Sequence, residues 1–195
     1  MSLKGQTFDY RRYKNLFLPL LGEHQRVNAI TAIESLEVCQ EFQSKISLKA
    51  VRQGLNSIYW PLRFEIIRRK PAIILDAAHT PESMRQLVAT IREFFPKNKM
   101  VIVFGVSEDK DRKVMCRFLN RLDATIVATA VDNPRAHRFT DEELKKSFPK
   151  KRSVLRPTIT EALKAAHEES NAEAIILITG SIYLTSAARE IILKQ

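Results

Sequence analysis

Four short runs in this chain are apolar almost throughout, rather than at every second position. They are Ala72-Ile-Ile-Leu75, Met100-Val-Ile-Val-Phe104, Ala124 to Ala130, and Ala174 to Thr179. A strand with one wet face alternates apolar and polar residues; a strand covered on both faces need not. Between the first and second runs lie Met84, Leu87, Val88, Ile91 and Phe94, and between the second and third Val114, Met115, Phe118, Leu119 and Leu122. Both sets have the spacing of one helix face. Strands buried on both sides and alternating with helices predict an α/β fold: a doubly wound, mainly parallel sheet with helices on both faces. Parallel strands finish at one edge, where α/β sheets hold their ligands. The polar residues that end these runs should therefore gather there: Asp76 and His79, Ser107 to Asp111, Asp132 to His137, and Gly180-Ser181.

The boundaries follow from local chemistry. Thr80 and Pro81 read as the N-cap and first residue of a helix running to about Phe95, since proline at the first position wastes no N–H. Asp111 reads as a cap. Thr140-Asp-Glu-Glu143 and Thr158-Ile-Thr-Glu161 both have capping-box spacing, and a final helix is expected over Ile182–Leu193. Phe64–Arg68 and Ser153–Leu155 complete the expected strands. Upstream, Lys4 to Asn15 is polar and basic and reads as an irregular lead-in. Two helices follow, one over Gln25–Cys39 with Val27, Ile30, Ile33 and Leu36 on its apolar face. The other is capped by Ser47, with Leu48, Val51, Leu55 and Ile58 turned inward. Trp60-Pro61 reads as a hinge, because proline stops a helix. The expected division is residues 1–62 for the lead-in and helices, and 63–195 for the α/β domain.

Composition excludes several classes. No apolar run approaches the roughly 20 residues of a membrane span, and the polar start lacks the core of a signal peptide. The two cysteines, Cys39 and Cys116, have no metal spacing and read as buried free thiols in a reducing cytoplasm. The net charge is +10, which attracts anions in general. Aromatic residues do not alternate with the basic clusters at Arg68–Lys70 and Lys150–Arg152, so there is no stacking platform to favour a nucleic-acid partner. None of the five glycines belongs to a Gly-x-x-x-x-Gly-Lys-[Ser/Thr] phosphate loop.

Five stretches carry a resemblance. Leu75-Asp-Ala-Ala-His-Thr-Pro-Glu-Ser83 is similar to the L-D-G-A-H-[NT]-P-x-S run of the folylpolyglutamate and dihydrofolate synthases, ATP-dependent amide ligases of the Mur type. Gly22-Glu-His-Gln-Arg-Val-Asn-Ala29 resembles their G-x-H-Q-x-x-N-A, and Trp60-Pro-Leu-Arg-Phe-Glu65 their W-P-G-R-F-E. Val103-Phe-Gly-Val-Ser-Glu-Asp-Lys-Asp111 resembles V-F-G-x-x-x-D-K-D, and Thr179-Gly-Ser-Ile-Tyr-Leu184 resembles T-G-S-L-Y-L. The order is the family's, from about Gly22 to the C-terminus. The resemblance implies the C-terminal, Rossmann-like portion of such a ligase, with the two upstream helices closing its central ATPase domain. It implies the partners ATP with Mg2+, L-glutamate, and folate or dihydropteroate. A substrate carboxylate would become an acyl phosphate, which the glutamate amine then attacks. A cytoplasmic monomer is expected, inactive by itself for want of the phosphate loop.

Site residues transfer position by position. Arg63, Asp76 and His79 are the expected nucleotide contacts, and His79 and Ser181 the expected glutamate contacts. Taken alone, Arg63 reads as a surface arginine and Ser181 as an ordinary N-cap; the resemblance gives them their roles. Lys110, Asp111, Arg135 and His137 are lesser candidates on neighbouring turns. Two positions depart from the pattern. Leu62 stands for a glycine and implies a stiffer or re-aimed hinge. Ala77 also stands for a glycine and is expected to keep a negative φ, because a left-handed turn there costs about 1–2 kcal/mol. The rival readings are a stand-alone nucleotide- or anion-binding α/β module without ligase activity, and a basic nucleic-acid-binding protein.

Overall fold

The computed structural model describes residues 2–40 and 46–194. It divides into two compact units, Met1–Pro61 and Leu62–Gln195.

The first unit opens with a hairpin. Strands β1 (Gln6–Tyr10) and β2 (Tyr13–Leu18) pair antiparallel. The irregular lead-in expected over Lys4–Asn15 is thus corrected to ordered strand. The period-two signal is hidden by polar composition: Gln6 and Phe8 of β1 turn inward, and Tyr13, Leu16 and Leu18 of β2 oppose them. Buried Gln6 is polar yet satisfied, since its Nε2 donates to the carbonyls of Leu20 and Gly22, both at 2.8 Å. Helices α1 (Glu23–Gln40) and α2 (Leu48–Asn56) follow, with Ser47 capping α2 by accepting from Ala50 N–H. The α1 face differs from expectation. Gln25, Ala29 and Ile33 are buried at spacings of four, while Val27 (54%) and Leu36 (36%) are exposed. Leu48 of α2 is exposed as well, and Val51 and Leu55 carry its packing. The core of this unit joins Phe8, Tyr13, Leu16, Leu18, Ile33 and Leu55.

The second unit is a six-stranded sheet in the order β3-β4-β8-β5-β6-β7. Its strands are β3 (Glu65–Arg69), β4 (Ala72–Asp76), β5 (Met100–Phe104), β6 (Ala124–Ala128), β7 (Ser153–Leu155) and β8 (Ile175–Thr179). All are parallel except β3, which pairs antiparallel with β4. The helices are α3 (Pro81–Phe94), α4 (Arg112–Leu119), α5 (Asp141–Ser147), α6 (Ile159–Glu169) and α7 (Ile182–Leu193). One sheet face presents Ile73, Leu75, Val101, Val103, Val127, Ile176 and Ile178 to Ala162, Ala165 and Ala166 of α6 and to Leu184, Ala188 and Ile192 of α7. The alternate residues point the other way, where Phe104 meets Phe148 edge-on at the end of α5. Buried Met84, Leu87 and Ile91 of α3 and Met115 and Leu119 of α4 belong to the helices on that side. Small alanines let α6 approach the sheet.

The register is level. Asp76, Thr179, Phe104, Ala128 and Leu155 pair in one row across β4, β8, β5, β6 and β7. The turns after these strands therefore share one edge, as expected for a parallel sheet. Because β3 runs the other way, the residues that precede it lie at that edge too. The sheet ends its sides differently. On one side β3 carries a register shift between Ile66 and Arg68 and a basic end; on the other β7 is only three residues long. Both features protect an edge from pairing with foreign strands.

Candidate functional site at the carboxyl edge of the sheet

Asp76 ends β4 and is nine-tenths buried. Its Oδ2 accepts from Phe64 N–H and its Oδ1 from Ala78 N–H, each at 2.9 Å. A third bond runs from Ala77 N–H to the Leu62 carbonyl at 2.9 Å. The turn that bears Arg63 is thereby tied to the turn after β4. Glu65 secures the same turn from its other end, accepting from Leu62 N–H at 3.0 Å and pairing with Arg189 of α7 at 2.9 Å. Burial pushes the Asp76 carboxyl up to about 6, against the pull of the Phe64 and Ala78 N–H groups and of Arg63.

The backbone around Arg63 is strained. Leu62 and Phe64 have φ of 61° and 49°, a region where a bulky side chain is an outlier. Ala77 is absent from the positive-φ residues, as expected. Leu62, which stands where the resembling pattern has glycine, takes the left-handed backbone that suits glycine, and the strain lies there rather than at Ala77. Phe64 offsets its own cost by burial beside Phe94 and Phe95.

His79 is half-buried, and its Nδ1 faces the Ala77 carbonyl at 2.8 Å. A carbonyl oxygen only accepts, so Nδ1 is the donor in that contact and Nε2 is turned away from it. Three N–H groups around the start of α3 are already paired. His79 N–H and Thr80 N–H both donate to Ser83 Oγ, and Ser83 N–H returns to Thr80 Oγ1 in a complete capping box. The N–H groups of His79, Thr80 and Ser83 are thus taken up by the two hydroxyls of the cap.

Ser181 caps α7, accepting from Tyr183 N–H at 3.2 Å, and is buried. It follows β8, beside β4, so it shares the edge with Asp76 and His79. It opens on the turns after β5 and β6, in a small recess shared with Gly105, Ser107, Asn133 and Tyr183. Asp76, His79 and Ser181 thus share one edge, on which Asp76 and Ser181 are covered and His79 is half-covered. Gly180 has φ of 105°, and a Cβ there would stand 2.4 Å from the Gly105 carbonyl oxygen. Only glycine allows these two turns to meet.

The lesser candidates separate clearly. Asp111 caps α4 by accepting from Val114 N–H. Lys110 and Arg135 both pair with Asp109, at 2.7 and 3.3 Å. His137 is buried, its Nδ1 2.8 Å from Glu108 and its Nε2 2.9 Å from Glu143. The ring therefore bridges the two carboxylates, one at each nitrogen. Arg112 adds a bond to Glu143 at 2.8 Å. Burial alone would raise the Glu143 carboxyl; Arg112 and His137 outweigh it and hold it below the usual range. This cluster ties the turn after β5 to the turn after β6 and to α5.

Two threonines at this edge escaped the sequence reading. The hydroxyls of Thr129, just past β6, and Thr179, at the end of β8, are buried without a hydrogen-bond partner among the described residues. Strand propensity made them look like ordinary strand residues. By contrast, the largest cavity described, about 520 Å3, lies at the opposite end of the sheet among Ile73, Ile176, Ile192 and Leu163. It has no part in the edge described here. Cys116 is buried, and its thiol is pushed up to about 12 by burial; Cys39 is exposed, contrary to expectation. No helix among the described residues is long and apolar enough to cross a membrane.

A doubly wound sheet with its turns level at the carboxyl edge, an arginine on a tied turn beside β4 and a serine-capped helix after β8 defines a class. The chain belongs to the Mur ligase family, glutamate ligase domain, whose profile matches residues 62–182. Among individual relatives, the folylpolyglutamate synthase of Lacticaseibacillus casei is 30% identical over 97% of this chain and 44% of its own length. The dihydrofolate synthase/folylpolyglutamate synthase of Bacillus subtilis is 29% identical over 95% of this chain and 44% of its own length. Among solved structures, Mycobacterium tuberculosis folylpolyglutamate synthase complexed with ADP superposes with a TM-score of 0.81 at 29% identity, over 92% of this chain and 42% of that one. E. coli FolC in complex with DHPP and ADP gives 0.80 at 28%, over 92% and 41%. The chain thus spans less than half the length of the relatives it matches.

Proposed function

We propose that this chain is the C-terminal, glutamate-delivering part of an ATP-dependent ligase that joins L-glutamate to folate or dihydropteroate. The observation that carries the reading is the level edge, where the stretches shared with the synthases that lie in the second unit place Arg63, Asp76, His79, the turn after β5 and Ser181. Arg63 supplies a planar cation suited to phosphate oxygens, held in place by Asp76 and Ala77. His79 offers its Nε2 beside that cation and is the contact between nucleotide and amino acid. Ser181 and the turn it caps receive the glutamate carboxylate. Lys110 and Arg135 add positive charge on the adjoining turns, while Asp111 and His137 keep those turns in shape. Asp76 acts through the Arg63 turn and the strand-end turn rather than by direct contact in the conformation described.

ATP, when bound, supplies the phosphoryl group that activates the substrate carboxylate. No cluster of three or more His, Cys, Asp or Glu able to hold a metal occurs among the described residues. The reading places most Mg2+ ligands outside this chain, as the resemblance implies, and derives no step through the ion. It further takes the parent protein to be a cytoplasmic monomer. What this domain contributes is positioning and exclusion of water, the main sources of rate in acyl and phosphoryl transfer.

The test is complementation of the two activities. This chain alone should show no ATP-dependent addition of glutamate to a folate, whereas the open reading frame that contains it together with a phosphate-loop domain should. In that full protein Arg63→Ala should reduce kcat/KM by about a hundredfold, since positioned charge-assisted contacts are worth about 2–4 kcal/mol. Turnover by this chain alone, or an unaffected Arg63→Ala enzyme, would overturn the reading.

A further inference from the structure

The largest cavity described, about 520 Å3, lies within the second unit, toward the amino ends of β4 and β8 and away from Asp76, His79 and Ser181. Ile73 of β4 and Ile176 of β8, opposite each other in the parallel register, form its floor. Leu163 of α6 and Ile191 and Ile192 of α7 form its walls. Helix α6 packs on β5 and β6, and α7 on β8 and β4, so the cavity falls along the seam between the two helices. Protein interiors leave few spaces larger than a water molecule, and this one has the size of a small-ligand site.

Its lining separates by chemistry. The aliphatic residues are buried or half-buried, whereas Arg68, Thr160, Lys164, His167 and Glu168 are all exposed and form the rim. The rim carries an excess of positive charge. Glu168 is its one acid and sits 4.0 Å from Lys164, in an exposed pair of the kind that contributes little. Arg68 forms no ion pair among the described residues. Its placement is built into the strand. Strict alternation along β3 would turn Arg68 away from the face on which Ile67 meets the core under α6 and α7. The register shift between Ile66 and Arg68 sets Arg68 opposite Ile73 instead, and cross-strand partners share a face. The irregularity thus aims a guanidinium over an apolar floor.

We propose that this cavity is a binding site for a fatty carboxylate of medium chain length. The alkyl chain lies on Ile73, Ile176 and Ile192, between Leu163 and Ile191, and the carboxylate pairs with the Arg68 guanidinium, whose fork matches its two oxygens. The rim selects the charge, since an anion meets Arg68 and Lys164 where a cation would be repelled. The interior selects the body: it holds no aromatic side chain to stack on a ring and no polar side chain below the rim to bond a second charged group. The α6 wall from Thr160 to Glu168 spans about 12 Å at 1.5 Å per residue, long enough for an extended chain. The site is independent of whatever binds at the carboxyl edge.

The experiment is an amide-shift titration of this chain with octanoate, with acetate and octylammonium as comparators. Octanoate should saturate one site, with shifts centred on Ile73, Leu163, Lys164, Ile176 and Ile192. Acetate keeps the charge without the chain and should bind at least about a hundredfold more weakly. Octylammonium keeps the chain and reverses the charge, and should bind at least about tenfold more weakly. Arg68→Ala should weaken octanoate by about tenfold. Arg68 is exposed and has no ion pair to lose, so loss of binding in its variant is not loss of folding. Leu163→Trp sets an indole in the space and should abolish saturable binding, with the amides of the carboxyl edge unmoved as the sign of an intact sheet. The proposal is overturned if octanoate does not saturate, if octylammonium binds as tightly, or if either variant binds octanoate normally. It also fails if the shifts centre on Arg63, His79 and Ser181, or on exposed apolar residues of the first unit such as Val27 and Val38.

Discussion

At the scale of single residues, Asp76 has the clearest consequence. Its folded carboxyl stands at about 6, above the ordinary value of 3.8. The folded state therefore holds a proton that the unfolded chain has already released. Asp76 favours the fold most below about pH 4, and that contribution is lost as pH rises through about 6. The stability difference between the native chain and Asp76→Asn should fall by about 3 kcal/mol between about pH 4 and about pH 7. Parallel pH profiles in urea unfolding would refute it. Gly180→Ala should cost about 2–3 kcal/mol, since its Cβ would meet the Gly105 carbonyl and the Phe104 ring; an unchanged denaturation midpoint would contradict this. The sequence named Asp76 because it ends an apolar run, but nothing in it showed which backbone groups the carboxylate would hold. Those donors lie twelve residues upstream and two downstream, and only the antiparallel return of β3 brings the first of them near. Ala77 keeps the negative φ expected of it, and the strain resides at Leu62, because a residue that stands where a pattern has glycine does not by itself say which backbone region it occupies.

At the scale of elements, capping chemistry was legible almost everywhere. Thr80, Asp111, Thr140, Thr158 and Ser181 all cap the helices they announce. One detail fails in an informative way. Thr158 and Glu161 form the full box. Thr140 accepts from Glu143 N–H, but the Glu143 carboxylate turns to Arg112 and His137 instead of the N-cap backbone. Tertiary partners outcompete the local one. Thr158→Ala should therefore cost about 1 kcal/mol, from the cap alone. Glu143→Ala should cost about 2 kcal/mol, because it strips Arg112 and buried His137 of a shared partner. Thermal unfolding of the two variants would rank them, and the reverse order would count against the cluster. The β1–β2 hairpin was the element least visible beforehand. Its inward residues include Gln6, whose side chain reads as polar and is satisfied only by carbonyls from Leu20 and Gly22.

At the scale of the whole molecule, each unit owns a core. The sheet, its five helices and all the candidate residues lie within Leu62–Gln195. That segment should fold cooperatively when expressed alone, with the amide spectrum of the sheet preserved; a spectrum without dispersion would show that it depends on the residues before it. Mostly parallel architecture was readable because continuous apolar runs have no other economical burial. The direction of β3 was not, because a five-residue strand carries no arrow in its composition. That reversed strand has a practical outcome. Its turn at Lys70 and Pro71 lies at the far end of the sheet from Arg63, and a hairpin needs no crossover helix. Sequence added or removed at that turn changes a loop that no candidate residue touches, while Asp76 and Ala77 continue to fix where the arginine stands. The fold thus offers a point of attachment for new sequence, a tag, a tether or a partner domain, insulated from the chemistry by the full length of a strand.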